Sequence, residues 1–132
     1  MQYYDEICLA NVYLEDSYVL AIEEGVSTLS FTLDLVLLES HPLYEKPTAD
    51  EQYCYRNARI HFCQTQHVHW HARSALVSTD ADGKADLGNV DTFMKDGPTY
   101  HLTGDWGAVS ITCGCLQVDF QTHIAQQYQC TK

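Results

Sequence analysis

No run in this chain approaches the roughly 18 consecutive apolar residues that a membrane-spanning helix requires. The opening residues, MQYYDEICLANVYLED, lack the basic start of a secretory leader and carry Asp5 and Glu6 in its place. A cytosolic protein with no membrane attachment is the resulting expectation. No two cysteines stand at CxxC spacing, which removes zinc ribbons and thioredoxin-type dithiols. Without a leader, Cys8, Cys54, Cys63, Cys113, Cys115 and Cys130 are expected as free thiols, most of them packed as small hydrophobes. GxGxxG, P-loop, HExxH and GxSxG patterns are all absent, so nothing points to hydride transfer, phosphate chemistry or a nucleophile elbow. Bases are scarce as well: seven Lys and Arg face 18 Asp and Glu, a formal net charge of −11 over 132 residues.

The imbalance is concentrated. Residues 1–51 hold eleven acids and one base, a net of −10, while residues 52–132 hold seven acids and six bases, a net of −1. A surface of that sign repels phosphate backbones, which argues against nucleic acid, and attracts a basic protein.

What the chain does contain is period-two alternation. In STLSFTLDLVLLE, Leu29, Phe31, Leu33, Leu35 and Leu37 alternate with polar residues, the mark of a half-buried strand. The alternation lapses at Val36 and Leu38, where both faces are expected to be covered. Upstream, ICLANVYL and SYVLAIEE flank Glu15-Asp16, read as a hairpin, and Gly25 marks the next turn. The first forty residues are thus expected to form three strands, with Glu15, Asp16, Glu23 and Glu24 at their connections. Pro42 and Pro47 mark the main loop. Asn57 is a candidate turn between two short strands, and Asp82-Gly83, Asp96-Gly97-Pro98 and Gly104 to Gly107 are further turns, the last carrying a core-capping Trp106. The expected fold is all-β and mainly antiparallel: a single-domain sandwich or partly open barrel of about 8–10 short strands. A short C-terminal helix is one reading of QTHIAQQYQCTK.

Four stretches are candidates for chemistry. In HVHWH, His67, His69 and His71 share one face of a strand and Val68 and Trp70 the other. An HxH pair can ligate zinc if a third ligand arrives from a neighbouring strand, with His61, His101 and Cys63 available; otherwise the histidines are simply the wet face. In STDADGKADLGN, Asp80, Asp82 and Asp86 fall on three positions of an EF-hand-type calcium loop, but Ser78 and Asn89 occupy the two ends where acids are needed. A tight hairpin explains the same residues. Cys113 and Cys115 are expected to share a strand face with Val109 and Ile111, which reads as core. The loop from His41 to Tyr55 gathers Tyr44, Glu45, Asp50, Glu51, Tyr53 and Tyr55, a mixture suited to recognition.

Association with a basic protein is the leading functional expectation, through Glu15, Asp16, Glu23, Glu24, Tyr44, Glu45, Asp50 and Glu51. In composition the chain resembles bacterial immunity proteins, small acidic domains that neutralise a basic toxin; the resemblance is one of composition and not of motif. A zinc-dependent hydrolase or metal-binding protein built on the HVHWH strand is the alternative. A structural subunit that dimerises through an edge strand is a third.

Overall fold

A computed structural model describes residues 2–3, 9–47, 53–73, 78–79, 85–120 and 126–129. Among these lie nine strands: β1 (Val12–Gly25), β2 (Thr28–Leu37), β3 (Cys54–Arg73), β4 (Ser78–Thr79), β5 (Ala85–Asp86), β6 (Val90–Asp96), β7 (Thr99–Gly104), β8 (Gly107–Phe120) and β9 (Gln126–Gln129). Every pairing between them is antiparallel. The main sheet runs β1-β2-β3-β8-β7-β6, so two three-stranded meanders meet along β3 and β8. The sheet curls into a partly open barrel. Its two edges touch where Val19 N–H donates to Gly88 O and Leu87 N–H to Val19 O, both at 2.8 Å. β4 and β5 form a separate small hairpin.

Three of these strands are not short: β1 and β8 have 14 residues and β3 has 20. Strands this long bend round a core only if bulges relieve them. β1 has a wide one, spending five residues from Tyr13 to Tyr18 where β2 spends two, from Val36 to Asp34. Glu15-Asp16 sits in it, so the expected hairpin is a bulge and residues 12–37 make two strands, not three. Ser17 is fully buried there. Its Oγ donates to Tyr13 O at 2.7 Å and accepts Val36 N–H at 2.9 Å, which satisfies groups that the bulge unpairs. Asn57 likewise lies inside β3, opposite Asp34, and not in a turn.

The inward residues form one core. Trp106, Tyr100, Phe31, Phe62, Phe93 and Phe120 are its largest buried side chains. Trp106 leads the core from the two-residue turn between β7 and β8, its ring 5.1 Å from that of Phe31 and its Nε1–H bonded to Asn89 O at 3.1 Å. The turns at Gly25 and Gly97-Pro98 also fall where the sequence places them, and Gly97 supplies the left-handed φ of +60° that its turn needs. Val36 is buried as expected, but Leu38 is 46% exposed.

The tail is not helical where it is described. Residues 126–129 form β9, which pairs with Gln117–Phe120 of β8. β7 covers β8 only from Gly107 to Thr112, so the rest of that edge is open to a further strand. Cys113 and Cys115 do not share a face either. Val109, Ile111 and Cys113 point inward, then Leu116 and Val118 do, so the inward phase shifts across Gly114-Cys115. Cys115 is left half-buried on the outer side.

Candidate partner-binding site

The outer face of β1, β2 and β3 carries a cluster of tyrosines around two carboxylates. The β1 bulge turns Tyr13 and Tyr18 outward, 38% and 43% exposed. Without it, two residues five apart would face opposite ways. Tyr18 stands opposite Asp34, and Tyr55 opposite Val36 one strand further. The Tyr18 and Tyr55 rings stack at 6.3 Å, and Tyr53 meets Tyr55 edge-on at 6.1 Å. Asp16, carried by the bulge, lies beside the Tyr53 hydroxyl, and its attraction for that proton holds the Tyr53 phenol above its ordinary pKa. Burial raises Tyr55 too, helped by Tyr18 and by the charges of Asp16 and Asp34. The result is a row of neutral aromatic faces beside fixed negative charge, an arrangement that attracts Lys or Arg.

Tyr53 also opens onto a groove. Val36, Leu38, Tyr44, Pro47 and Cys54 line it with Tyr53, around a volume of about 220 Å³. Glu45 stands at this end of the sheet and pairs with Arg56 at 3.2 Å. Aromatic platform and apolar groove are continuous through Tyr53.

The structure brings together only some of the acids named from sequence. Asp16, Tyr44 and Glu45 gather here. Glu23 and Glu24 lie at the far end of β1, with Glu24 about 16 Å from Tyr18, five β2 residues away at about 3.3 Å each. Glu24 is occupied there, accepting Trp70 Nε1–H at 2.7 Å and Arg73 Nη1 at 2.9 Å. Glu15 accepts the buried Tyr3 hydroxyl at 2.6 Å. Asp50 and Glu51 lie outside the described residues. His41, where that loop begins, is buried, its ring 5.2 Å from Phe120, and burial lowers its pKa. Tyr13, Tyr18 and Asp34 escaped the sequence reading because only the bulge puts them on one side.

A second polar cluster covers the outer face of β3, β8 and β7. His67, His69 and His71 are exposed there, and Val68 and Trp70 pack on the core, as the alternation predicts. The His69 and His71 rings meet edge-on at 4.5 Å. His101 arrives from β7 and shares Ser110 Oγ with His71, at 2.8 and 2.7 Å. One hydroxyl has one proton, so with neutral rings one imidazole donates to Ser110 and the other accepts. Two imidazole nitrogens on one tetrahedral zinc would be about 3.3 Å apart, whereas here each is bonded to the Ser110 oxygen. Among the described residues, no three His, Cys, Asp or Glu side chains are grouped to hold a metal ion. His61 and Cys63 lie further down β3, beside other partners.

One of those partnerships links three strands. Ser30 Oγ lies 2.8 Å from His61 Nδ1, and His61 Nε2 lies 3.0 Å from Asp119 Oδ2. The carboxylate fixes the proton on Nε2 and leaves Nδ1 to accept the serine hydroxyl. β3 is central, with its amides spent on both neighbours, so it offers no N–H pair for an oxyanion. For the calcium reading, Asp80 and Asp82 lie outside the described residues, and Asp86 pairs through its backbone with Ser78 in the β4–β5 hairpin.

Family models, curated proteins and solved structures were compared with the chain, and none of them matches it. No helix among the described residues is long and apolar enough to cross a membrane.

Proposed function

We propose that the protein is a cytosolic association module that binds a basic segment of a protein partner on the outer face of β1–β3. The observation that carries this reading is Asp16 set among Tyr18, Tyr53 and Tyr55, with Asp34 beside them. A Lys or Arg side chain laid on the tyrosine faces would gain cation–π attraction of about 0.5–1 kcal/mol at each exposed ring. The carboxylates would add charge pairing, and the groove by Tyr44 would take a neighbouring apolar side chain. The net of −10 over residues 1–51 supports the same sign of partner by steering its approach. The acids at Glu23 and Glu24 fall outside this surface, so the site is narrower than the sequence expectation.

The test is titration of fluorescent Lys/Arg-rich peptides containing one apolar residue, read by anisotropy at low and physiological salt. Tyr18→Ala leaves the net charge untouched, so indiscriminate attraction to an acidic protein would survive it. A site of the proposed kind loses roughly two- to fivefold in affinity in Tyr18→Ala, the worth of one ring, and more in Asp16→Lys. Equal binding by wild type and Tyr18→Ala would sink the reading.

The second reading, zinc on the histidine face, rests on the convergence of His71 and His101 upon Ser110. It requires the Ser110 hydroxyl to move aside. Elemental analysis of protein purified without chelator or metal-affinity resin decides it. Near one zinc per chain, lost in His71→Ala, supports the site; metal retained by that variant excludes it.

A further inference from the structure

Cys63 and Cys115 face each other across the seam where the two meanders join. They are register partners in β3 and β8. Both strands are irregular at this level. Gln64 has a φ of +52°, and a Cβ on Gly114 would come within 2.6 Å of Gln64 Oε1. The Cys63 thiol donates to the His61 carbonyl at 3.9 Å, and the Cys115 side chain is near enough to perturb it. Both residues are half-buried, within reach of a small solute, whereas Cys113 points into the core.

Distance selects this pair from its neighbours. Directly opposed residues of an antiparallel ladder have Cα atoms about 4.5–5.5 Å apart, inside the disulfide range of about 4.4–6.8 Å. Cys113 and Cys115, two apart along one strand, span nearly 7 Å, and Cys113 stands opposite Thr65, not Cys63.

We propose that Cys63 and Cys115 are a redox pair that closes to a cross-strand disulfide, with a low-molecular-weight disulfide such as glutathione disulfide as oxidant. In the first step the Cys115 sulfur, as thiolate, attacks the glutathione disulfide. The S–S bond breaks, one glutathione leaves as thiolate and takes up a proton, and a mixed disulfide remains on Cys115. The Cys63 sulfur then loses its proton and attacks the Cys115 sulfur, expelling the second glutathione. Two protein thiols are oxidised and one glutathione disulfide is reduced to two thiols.

The order follows from the surroundings. Burial, and then the contact with Cys115, push the Cys63 thiol up to about 12. Cys63 keeps its proton while Cys115 is a free thiol, so it acts second. Capping Cys115 removes the neighbour's contribution and leaves that of burial, which makes closure slow. The closed form ties β3 to β8 and hence one meander to the other. This inference stands apart from the partner-binding reading.

The test uses the reduced, folded protein in glutathione buffers of increasing oxidised fraction, followed by alkylation, digestion without reductant and mass spectrometry. The expected product has lost two hydrogens and yields a peptide linking Cys63 to Cys115. Cys113→Ser forms it unchanged. Cys63→Ser halts at the glutathione adduct on Cys115. The oxidised protein should melt higher by roughly 5–10 °C, the scale expected of a native staple. The proposal is overturned if the dominant link involves another cysteine, if wild type stops at adducts, if both thiols survive the most oxidising buffer, or if the link forms only in denaturant.

Discussion

Replacing Ser17 by alanine would remove one oxygen from the interior of the barrel and test how the β1 bulge is held. Ser17 is completely buried, and its hydroxyl serves two backbone groups: it accepts Val36 N–H at 2.9 Å and donates to Tyr13 O at 2.7 Å. Val36 is 1% exposed, so its N–H has no water to turn to and bears the desolvation cost of an unmade bond, about 1–3 kcal/mol. Tyr13 is partly exposed, and its carbonyl loses a bond worth about 1 kcal/mol. The vacated space is smaller than a water molecule, so solvent cannot stand in for the lost oxygen. Together these give a loss of about 2–4 kcal/mol. Urea unfolding followed by tryptophan fluorescence, with Trp106 buried as reporter, should show a midpoint lower by roughly 1–2 M with unchanged slope. Asp16 and Tyr18 flank Ser17, so affinity for a basic peptide should fall as well. A loss under about 0.5 kcal/mol, the scale of an ordinary surface substitution, would refute the claim that Ser17 holds the bulge.

Other outcomes follow from the same geometry. Gly104→Ala would set a Cβ against Asn89 O and Trp106 Nε1, so an overpacking loss of about 1–3 kcal/mol is expected in the same urea assay. His41 accepts Leu43 N–H on Nδ1 and has a folded-state pKa depressed by burial. The unfolded chain therefore binds the proton more readily: stability is fully present above the ordinary histidine value of 6.5 and is lost as pH falls from there through the folded pKa. Melting temperatures from pH 8 down to about 5 should fall less steeply in His41→Leu than in wild type. Glu24→Gln loses only exposed contacts to Trp70 and Arg73, and should cost under about 1 kcal/mol by urea unfolding, with peptide affinity unchanged because Glu24 lies far from the platform.

Much of the architecture was legible locally. Leu29 to Leu37 announced an amphipathic strand, Gly97-Pro98 and Asp105-Trp106 announced turns, and HVHWH oriented itself correctly because Trp70 and Val68 can be buried more cheaply than three imidazoles. The misreadings share one cause. Glu15-Asp16 between apolar runs has the same local signature whether the chain reverses or merely bulges. The choice is made by Val36 N–H on the next strand, which needs the Ser17 hydroxyl. The 126–129 tail has no strong period of its own, and it is a strand because β8 has an unfilled edge.

The candidate sites divide in the same way. Composition and charge placement along the chain suffice to make the protein acidic and all-β, since these depend on which residues are present and on their local spacing. Which acids act together is a tertiary matter. Asp16 joins Tyr18, Tyr53 and Tyr55 only because a bulge reverses the facing of β1 and the register of β1 to β3 aligns them. His101 meets His71, and Cys63 meets Cys115, only because β8 lies between β7 and β3. Strand order and register are set by long-range pairing and by burial of one shared core, and no local window of sequence contains them.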